Sequence, residues 1–282
     1  MSGRVLPLQR LGRGPLLMLL HGYTGNGSSM AGVARALEDE YATVAPDLPG
    51  HGRAVQADDP AAFGFDACLD DLVATLKSTG SGRAHWLGYS MGARLALGCA
   101  VRHPGSVASL VLLAGRAGIA DPGERAARRR ADEALADRIE QIGVAAFVDE
   151  WLAQPLFATL QGLGPEVVAA ERRARLANDA RGLAASLRGL GPGAQPPLFD
   201  QLPRLRVPVL LVAGALDERF VAIAHDLAGR IPQAEVCAIP GAGHAAHVEQ
   251  PGLFADAVRD FLRRVSVAVP SISSPSVQEI VS

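Results

Sequence analysis

In Gly88-Tyr89-Ser90-Met91-Gly92 a serine lies between two glycines, and the sequence on each side indicates what this spacing is for. The apolar run Ala84–Leu87 before it predicts a buried strand, and Ala93–Leu97 after it continues with a helical pattern. A strand and a helix that meet in so tight a turn approach each other closely, so the turn requires glycine on both sides. We predict that Ser90 stands at this strand–helix junction in a strained backbone conformation with positive φ.

Two later strands end beside residues that can complete a catalytic triad. The continuous apolar run Val207–Ala213 predicts a buried strand, and Asp217 follows it at the carboxyl edge. The short strand Ala234–Ile239 leads into His244. Serine, aspartate and histidine occur in this chain order in α/β-hydrolases. In such a triad His244 takes a proton from Ser90, while the aspartate holds the imidazole in the required tautomer.

Asp217 and His244 also have simpler interpretations. Asp217 can be the N-cap of a helix over Phe220–Gly229, and His244 can be a loop histidine that only bonds the backbone. The joint occurrence of all three residues, each after a predicted strand, favours the triad.

The oxyanion hole is predicted at the end of an early strand. Leu16–Leu20 is apolar throughout and runs into His21-Gly22-Tyr23. In this fold one oxyanion donor is the N–H of the residue after the nucleophile, here Met91, and another comes from this early loop, for which we predict Tyr23. A phosphate-binding loop would need Gly-Lys-Ser/Thr, which the segment lacks.

Composition predicts one globular enzyme. The chain has 282 residues, is 49% hydrophobic and carries a net charge of −2, so neither nucleic acid nor an anionic membrane is an expected partner. No run reaches the length of a membrane span. The three cysteines lack metal-ligand spacing and favour a reducing compartment, so we expect a cytoplasmic protein without metal or cofactor. The oligomeric state stays open, and a monomer is compatible with the sequence.

Strand and helix patterns alternate along most of the chain. Such alternation predicts an α/β fold: a mostly parallel sheet with helices on both faces and ligands at the carboxyl ends of the strands. We divide the chain into a first part of the core (1–115), an inserted helical cap (116–200), a second part of the core (201–265) and a disordered tail rich in serine and proline (266–282).

The cap narrows the class further. Its runs 121–132, 147–157 and 182–195 resemble the cap of 2-succinyl-6-hydroxy-2,4-cyclohexadiene-1-carboxylate synthases, and the resemblance extends from Leu16 to about Leu262. These enzymes belong to menaquinone (vitamin K2) biosynthesis. The resemblance implies elimination of pyruvate from a substrate with three carboxylates, with the triad acting as a base and without an acyl-enzyme. It also implies that substrate-contacting residues fall on Tyr89, Arg94, Arg128, Trp151 and Arg175.

The arginines agree with this chemistry, because guanidinium groups bind carboxylates in a two-pronged geometry. Each position keeps a structural alternative. Arg94 can form an ion pair on a helix surface, and Arg128 can belong to a solvated face. Tyr89 can simply pack beneath the turn, and Trp151 can be part of the cap's core. Arg188 can serve the site or only hold the cap together.

Three functions are compatible with the sequence. The first is the pyruvate-eliminating lyase. The second is a serine hydrolase, either a carboxylesterase or a carbon–carbon hydrolase, that works through an acyl-enzyme. The third is a binding protein without catalysis. The triad and the oxyanion loop argue against the third, and the arginine-bearing cap favours the lyase over the hydrolase.

Overall fold

The computed structural model describes residues 3–54 and 60–265. The predicted disordered tail, 266–282, lies outside the described residues. The strands of the described part are β1 (Leu8–Leu11), β2 (Leu16–Leu20), β3 (Ala42–Pro46), β4 (Ala84–Tyr89), β5 (Val107–Leu113), β6 (Val209–Gly214) and β7 (Ala234–Ile239). Its α-helices are α1 (Ala31–Leu37), α2 (Phe65–Ser78), α3 (Met91–Arg102), α4 (Pro122–Leu152), α5 (Ala158–Gln161), α6 (Pro165–Leu176), α7 (Ala180–Leu190), α8 (Glu218–Ala228), α9 (Ala246–Glu249) and α10 (Pro251–Val265).

The strands form one sheet in the order β1-β3-β2-β4-β5-β6-β7. β1 runs antiparallel to β3, and every other neighbouring pair is parallel. Parallel neighbours need a crossover connection, which α1, α2, α3 and α8 provide. This topology confirms the predicted α/β fold with a mostly parallel sheet.

Burial on both faces explains why the central strands are apolar throughout. In β2, Leu16, Met18 and Leu20 join the hydrophobic cluster that also contains residues of α2, α3 and α8. The alternate residues Leu17 and Leu19 join the opposite cluster, with residues of α1 and α10. Side chains of a strand point alternately to its two faces, so one apolar run supplies both layers.

The edge of the sheet differs from the sequence-based prediction. β1 was not predicted, because its four residues are mostly exposed and lack an alternating apolar pattern. It forms by pairing with β3, a tertiary contact. β6 begins at Val209 rather than Val207, and α8 begins at Glu218, directly after Asp217.

Only helices and loops separate β5 from β6, as predicted for this part of the chain. The long helix α4 is broken at Gly143, whose φ of 75° and ψ of 168° are not helical. α4 and α7 pack together around a small apolar cluster of their own, which includes Ile139, Phe147 and Leu183. The division at 116–200 into cap and core stays a prediction.

The junction of β4 and α3 leaves no room for side chains at its two glycines. A Cβ at Gly88 would lie 2.3 Å from the carbonyl oxygen of Gly92, and a Cβ at Gly92 would lie 2.2 Å from that of Leu20. Both obstacles are backbone atoms and cannot rotate away. The glycines therefore set the distance between β2, β4 and α3.

We expect Gly88→Ala to lower the free energy of unfolding by about 3 kcal/mol, because the methyl group forces the strand and the helix apart. Gly32→Ala is the control, since a Cβ at this helical glycine meets nothing within 4 Å. That variant should be stabilised by about 0.5–1 kcal/mol. Urea unfolding of both variants measures the difference, and equal stabilities would contradict the packing argument.

Candidate active site

Ser90 occupies the strained junction that the sequence predicts. Its φ of 51° and ψ of −104° lie outside the ordinary regions for a residue with a Cβ. Its N–H donates to the carbonyl of Leu113 at 2.9 Å, which holds the turn against the neighbouring strand β5. The predicted positive φ is confirmed, and the strain is sustained by the packing around Gly88 and Gly92.

His244 lies between Ser90 and Asp217, within hydrogen-bonding distance of both. The Nδ1 atom of His244 is 2.9 Å from Oδ2 of Asp217, and its Nε2 atom is 3.4 Å from Oγ of Ser90. The other carboxylate oxygen of Asp217 accepts the N–H of Phe220 at 3.2 Å. Asp217 is thus both the hydrogen-bond partner of the histidine and the N-cap of α8, and its catalytic role stays a prediction that this geometry allows.

The early loop and the start of α3 meet at Ser90, as expected for an oxyanion hole. Tyr23 and Met91 line the same cavity as Ser90. A Cβ at Gly22 would lie 2.8 Å from the ring of Tyr89 and 3.6 Å from the Cβ of Ser90, which shows how closely the loop backbone approaches the serine. The assignment of the two N–H donors to an oxyanion stays a prediction.

Two buried histidines hold this loop in place. His21 accepts the N–H of Leu48 at 3.0 Å and bonds the carbonyl of Gly22 at 2.8 Å. His51 accepts the N–H of Thr24 at 3.3 Å. Burial lowers the pKa of His21 to about 4 and that of His51 to about 3, the latter further depressed by the neighbouring His21. Both are neutral at physiological pH and act as acceptors for loop amides.

A buried carboxylate holds the loop that carries His244. Glu249 accepts the N–H of Gly243 at 2.6 Å through one oxygen and the N–H of Ala245 at 3.0 Å through the other. Its side chain is buried at the end of α9. The two residues that flank His244 are therefore fixed by one side chain. The sequence analysis assigned Glu249 no role. The feature that could have identified it is an acidic residue five positions after the histidine.

Ser90 and His244 line a cleft of about 140 Å³, together with residues of the helices that follow β5. No aspartate or glutamate is among the residues that line it, within the described part of the chain. The polar lining consists of Tyr23, Ser90, Arg94, Arg116, Arg128, Trp151, Ser186, Arg219 and His244. Four guanidinium groups therefore face one small cavity without a carboxylate in its wall.

Arg94 and Arg128 reach the cleft, as predicted. Arg94 is buried rather than on a helix surface, and donates to Oε1 of Gln195 at 3.0 Å and to the carbonyl of Leu190 at 2.8 Å. Burial lowers its pKa to about 10, with a further contribution from the charge of Arg128. Arg128 donates to Asp132 at 2.7 Å. Both guanidinium groups are held by the protein, and Arg94 remains cationic at physiological pH.

Trp151 both packs within the helical segment and lines the cleft. Its ring contacts those of Tyr23 at 5.4 Å and Phe147 at 5.7 Å between centroids, which is packing within the helical segment. It also lines the cleft, and its buried Nε1–H has no hydrogen-bond partner among the described residues. A buried N–H without a partner is costly, so a ligand or water in the cleft is its natural acceptor.

Tyr89 and Arg175 line a separate cavity of about 10 Å³, not the cleft at Ser90. The Tyr89 ring packs against His247 at 4.5 Å between centroids, beneath the turn. Arg175 is buried, donates to Glu171 at 2.6 Å and lies over the ring of Phe157. Their predicted contact with substrate stays a prediction that this arrangement does not support.

Arg188 holds the helical segment together. Its guanidinium pairs with Glu133, Asp137 and Glu140 on α4. By contrast, Arg116 and Arg219 do line the cleft, although the sequence did not single them out. Neither lies in a recognisable motif, and only the convergence of the carboxyl ends of β5 and β6 brings them to the site.

The comparisons agree with this geometry. A family model described as the alpha/beta hydrolase fold matches residues 15–251. The protein is therefore an α/β-hydrolase. The chain is 33% identical over 251 residues to the 2-succinyl-6-hydroxy-2,4-cyclohexadiene-1-carboxylate synthase of Serratia proteamaculans (strain 568), covering 88% of this chain and 93% of the relative. It is 36% identical over 249 residues to a protein of Bacillus subtilis (strain 168) whose name assigns the same activity provisionally, covering 88% and 90%. The chain belongs to the 2-succinyl-6-hydroxy-2,4-cyclohexadiene-1-carboxylate synthase family.

Solved structures agree as well. MenH from S. aureus superposes with a TM-score of 0.87 at 30% identity, covering 92% of this chain and 98% of that one. A thermophilic esterase from Thermogutta terrifontis, solved with malate bound, superposes with a TM-score of 0.80 at 28% identity, covering 92% and 93%. Esterases and this family therefore share the scaffold, and the cleft has to distinguish them.

Within residues 3–54 and 60–265, no helix is long and apolar enough to cross a membrane. Nor does that part of the chain bring together three side chains that could hold a metal ion.

We expect acid to destabilise the protein through His21 and His51. Because both have a lowered pKa in the folded state, the unfolded chain binds more protons between about pH 6.5 and pH 4. The free energy of unfolding should therefore fall as the pH falls, by up to about 1.4 kcal/mol per pH unit for each histidine.

Urea unfolding between about pH 7 and pH 5 measures this slope. His51→Asn removes one of the two groups and should reduce the slope, whereas His225→Gln, at an exposed position of α8, should leave it unchanged. A slope that does not differ between the two variants would contradict the assignment.

Proposed function

We propose that this protein eliminates pyruvate from 2-succinyl-5-enolpyruvyl-6-hydroxy-3-cyclohexene-1-carboxylate to form 2-succinyl-6-hydroxy-2,4-cyclohexadiene-1-carboxylate, in menaquinone biosynthesis. The observation that carries the proposal is a Ser90–His244–Asp217 arrangement in a cleft lined by four arginines and by no carboxylate of the described residues. Family membership across 88% of the chain supports the same reaction.

The bonds of the substrate define what the site has to do. Ring carbon 2 carries the succinyl carbonyl, a double bond joins carbons 3 and 4, and carbon 5 carries the enolpyruvyl oxygen. Loss of the proton at carbon 2 sends its electron pair to the carbonyl oxygen as an enolate. When the carbonyl re-forms, a double bond forms between carbons 2 and 3, the ring double bond moves to carbons 4 and 5, and the bond from carbon 5 to oxygen breaks. The leaving group departs as the enolate of pyruvate and takes up a proton to become pyruvate. No bond to the protein is required.

The triad supplies the base for the first step. His244 accepts the proton of Ser90 as the serine oxygen takes the proton from carbon 2, and Asp217 stabilises the imidazolium that results. His244 is 3% exposed, so bulk water competes little for the proton. The developing enolate oxygen is placed at the N–H groups of Tyr23 and Met91, where preorganised donors stabilise negative charge.

The arginines distinguish this function from ester hydrolysis. A neutral ester gains nothing from guanidinium groups in the cleft wall, whereas a substrate with three carboxylates needs them. The three free cysteines, Cys68, Cys99 and Cys237, support a reducing compartment, and we propose the cytoplasm.

We expect Ser90→Ala to keep measurable pyruvate release. A serine that relays a proton contributes roughly 10²–10⁴-fold, whereas loss of an acyl-forming nucleophile costs on the order of 10⁶-fold. The measurement is the rate of pyruvate release coupled to lactate dehydrogenase, with Ser78→Ala on α2 as the control. Intact-protein mass spectrometry during turnover should find no adduct on Ser90. A trapped acyl group would refute elimination and support the serine hydrolase.

We expect Glu249→Gln to lower kcat by about ten- to a hundredfold while KM changes little. A glutamine has one acceptor for the two N–H groups beside His244, so the histidine is less well placed, and small displacements of reacting groups are expensive. Glu166→Gln, at an exposed position of α6, is the matched control. A variant with normal kcat, or with a change in KM alone, would show that Glu249 does not position the histidine.

A further inference from the structure

Arg116 and Arg219 lie at one side of the cleft, on the segments that follow two neighbouring strands. Arg116 comes shortly after β5, and Arg219 lies in the first turn of α8, directly after β6. β5 and β6 pair in parallel, so their carboxyl ends meet at the same edge of the sheet. The pair therefore lies on the side of the cleft where Asp217 and Phe220 support His244, the latter with its ring 4.8 Å from the imidazole.

The two guanidinium groups are close enough to repel each other. Burial lowers the pKa of Arg116, and the charges of Arg219 and then Arg128 lower it further. Like charges brought together at the wall of a cavity are unfavourable unless an anion lies between them. Arg116 is half-buried and Arg219 is exposed. The wall contains no carboxylate of the described residues, so an anionic ligand would relieve this repulsion.

The donors of this pair are largely unused, unlike those of Arg94 and Arg128. Arg116 donates through Nε to the carbonyl of Gly118 at 3.2 Å, which leaves its terminal nitrogens for a ligand. Arg219 forms no hydrogen bond or ion pair with a residue in 3–54 or 60–265. Arg94 is instead bonded to Gln195 and Leu190, and Arg128 to Asp132.

We propose that Arg116 and Arg219 form a second carboxylate-binding subsite of the Ser90 cleft, separate from the one at Arg94 and Arg128. It takes a carboxylate of the multi-carboxylate substrate, and in this respect it rests on the proposed function. With two pairs of guanidinium groups, the cleft holds the ring at more than one carboxylate and so presents one carbon to Ser90 and His244. The net charge of −2 attracts no anion at long range, so these local charges have to do so.

Arg116→Gln, Arg219→Gln and the double variant test the subsite. We expect KM for the cyclohexene substrate to rise three- to tenfold in each single variant and further in the double variant, with a smaller change in kcat. Arg230→Gln is the control, because Arg230 lies just beyond α8 and pairs with Asp226. It should behave as the wild type. A double variant with KM within twofold of the wild type would overturn the proposal.

Calorimetric binding of propane-1,2,3-tricarboxylate separates the subsite from the reaction. We expect the double variant to bind this probe at least tenfold more weakly than the wild type and than Arg230→Gln. If the wild type releases no pyruvate but the double variant loses the probe, the subsite stands and the proposed reaction fails. If the wild type releases pyruvate and all variants bind the probe and the substrate equally, the reaction stands and the subsite is refuted.

Discussion

The close approach of β4 and α3 is the constraint on which the rest of this molecule depends. Gly88 and Gly92 let the backbone of the strand and the helix come so near that even one methyl group would collide with a carbonyl oxygen. The turn between them has no ordinary conformation available, so Ser90 is held at a φ of 51°. Strain of this kind persists only where surrounding packing enforces it, and here the packing is the centre of the sheet.

Buried polar side chains fix the backbone of the loops around the site. Loops that carry reacting groups have irregular backbone, whose N–H groups still need acceptors. Neutral histidines, His21 and His51, accept from the loops after β2 and β3, Asp47 accepts the N–H of Gly27 at 2.7 Å, and Glu249 accepts on both sides of His244. These residues touch no proposed reacting atom, yet they determine where the oxyanion loop and the histidine lie.

The charge of the cleft differs from that of the chain as a whole. The chain as a whole is nearly neutral, and half of its arginines outside the cleft form ion pairs with acids, as Arg188 does with three of them on α4. No described acid is among the residues that line the cleft with these arginines. Arg128 does pair with an acid, Asp132, which is not one of the lining residues. Positive charge in the wall of a partly buried cavity favours an anionic ligand over a neutral one.

The sequence by itself predicted the strand–turn–helix around Ser90, the residues proposed for the triad, the oxyanion loop and the family, because each depends on local pattern: apolar runs, glycines at fixed spacing and residues at strand ends. It also predicted that Arg94 reaches the site, since that residue lies one helical turn beyond Ser90. Only the tertiary structure decided the rest. β1 forms because it pairs with the edge of β3. Arg175 bonds Glu171 and does not line the cleft. Arg116 and Arg219 meet because β5 and β6 are neighbours, although about a hundred residues separate them in the chain. Spatial proximity of that kind is set by packing, and no local pattern records it.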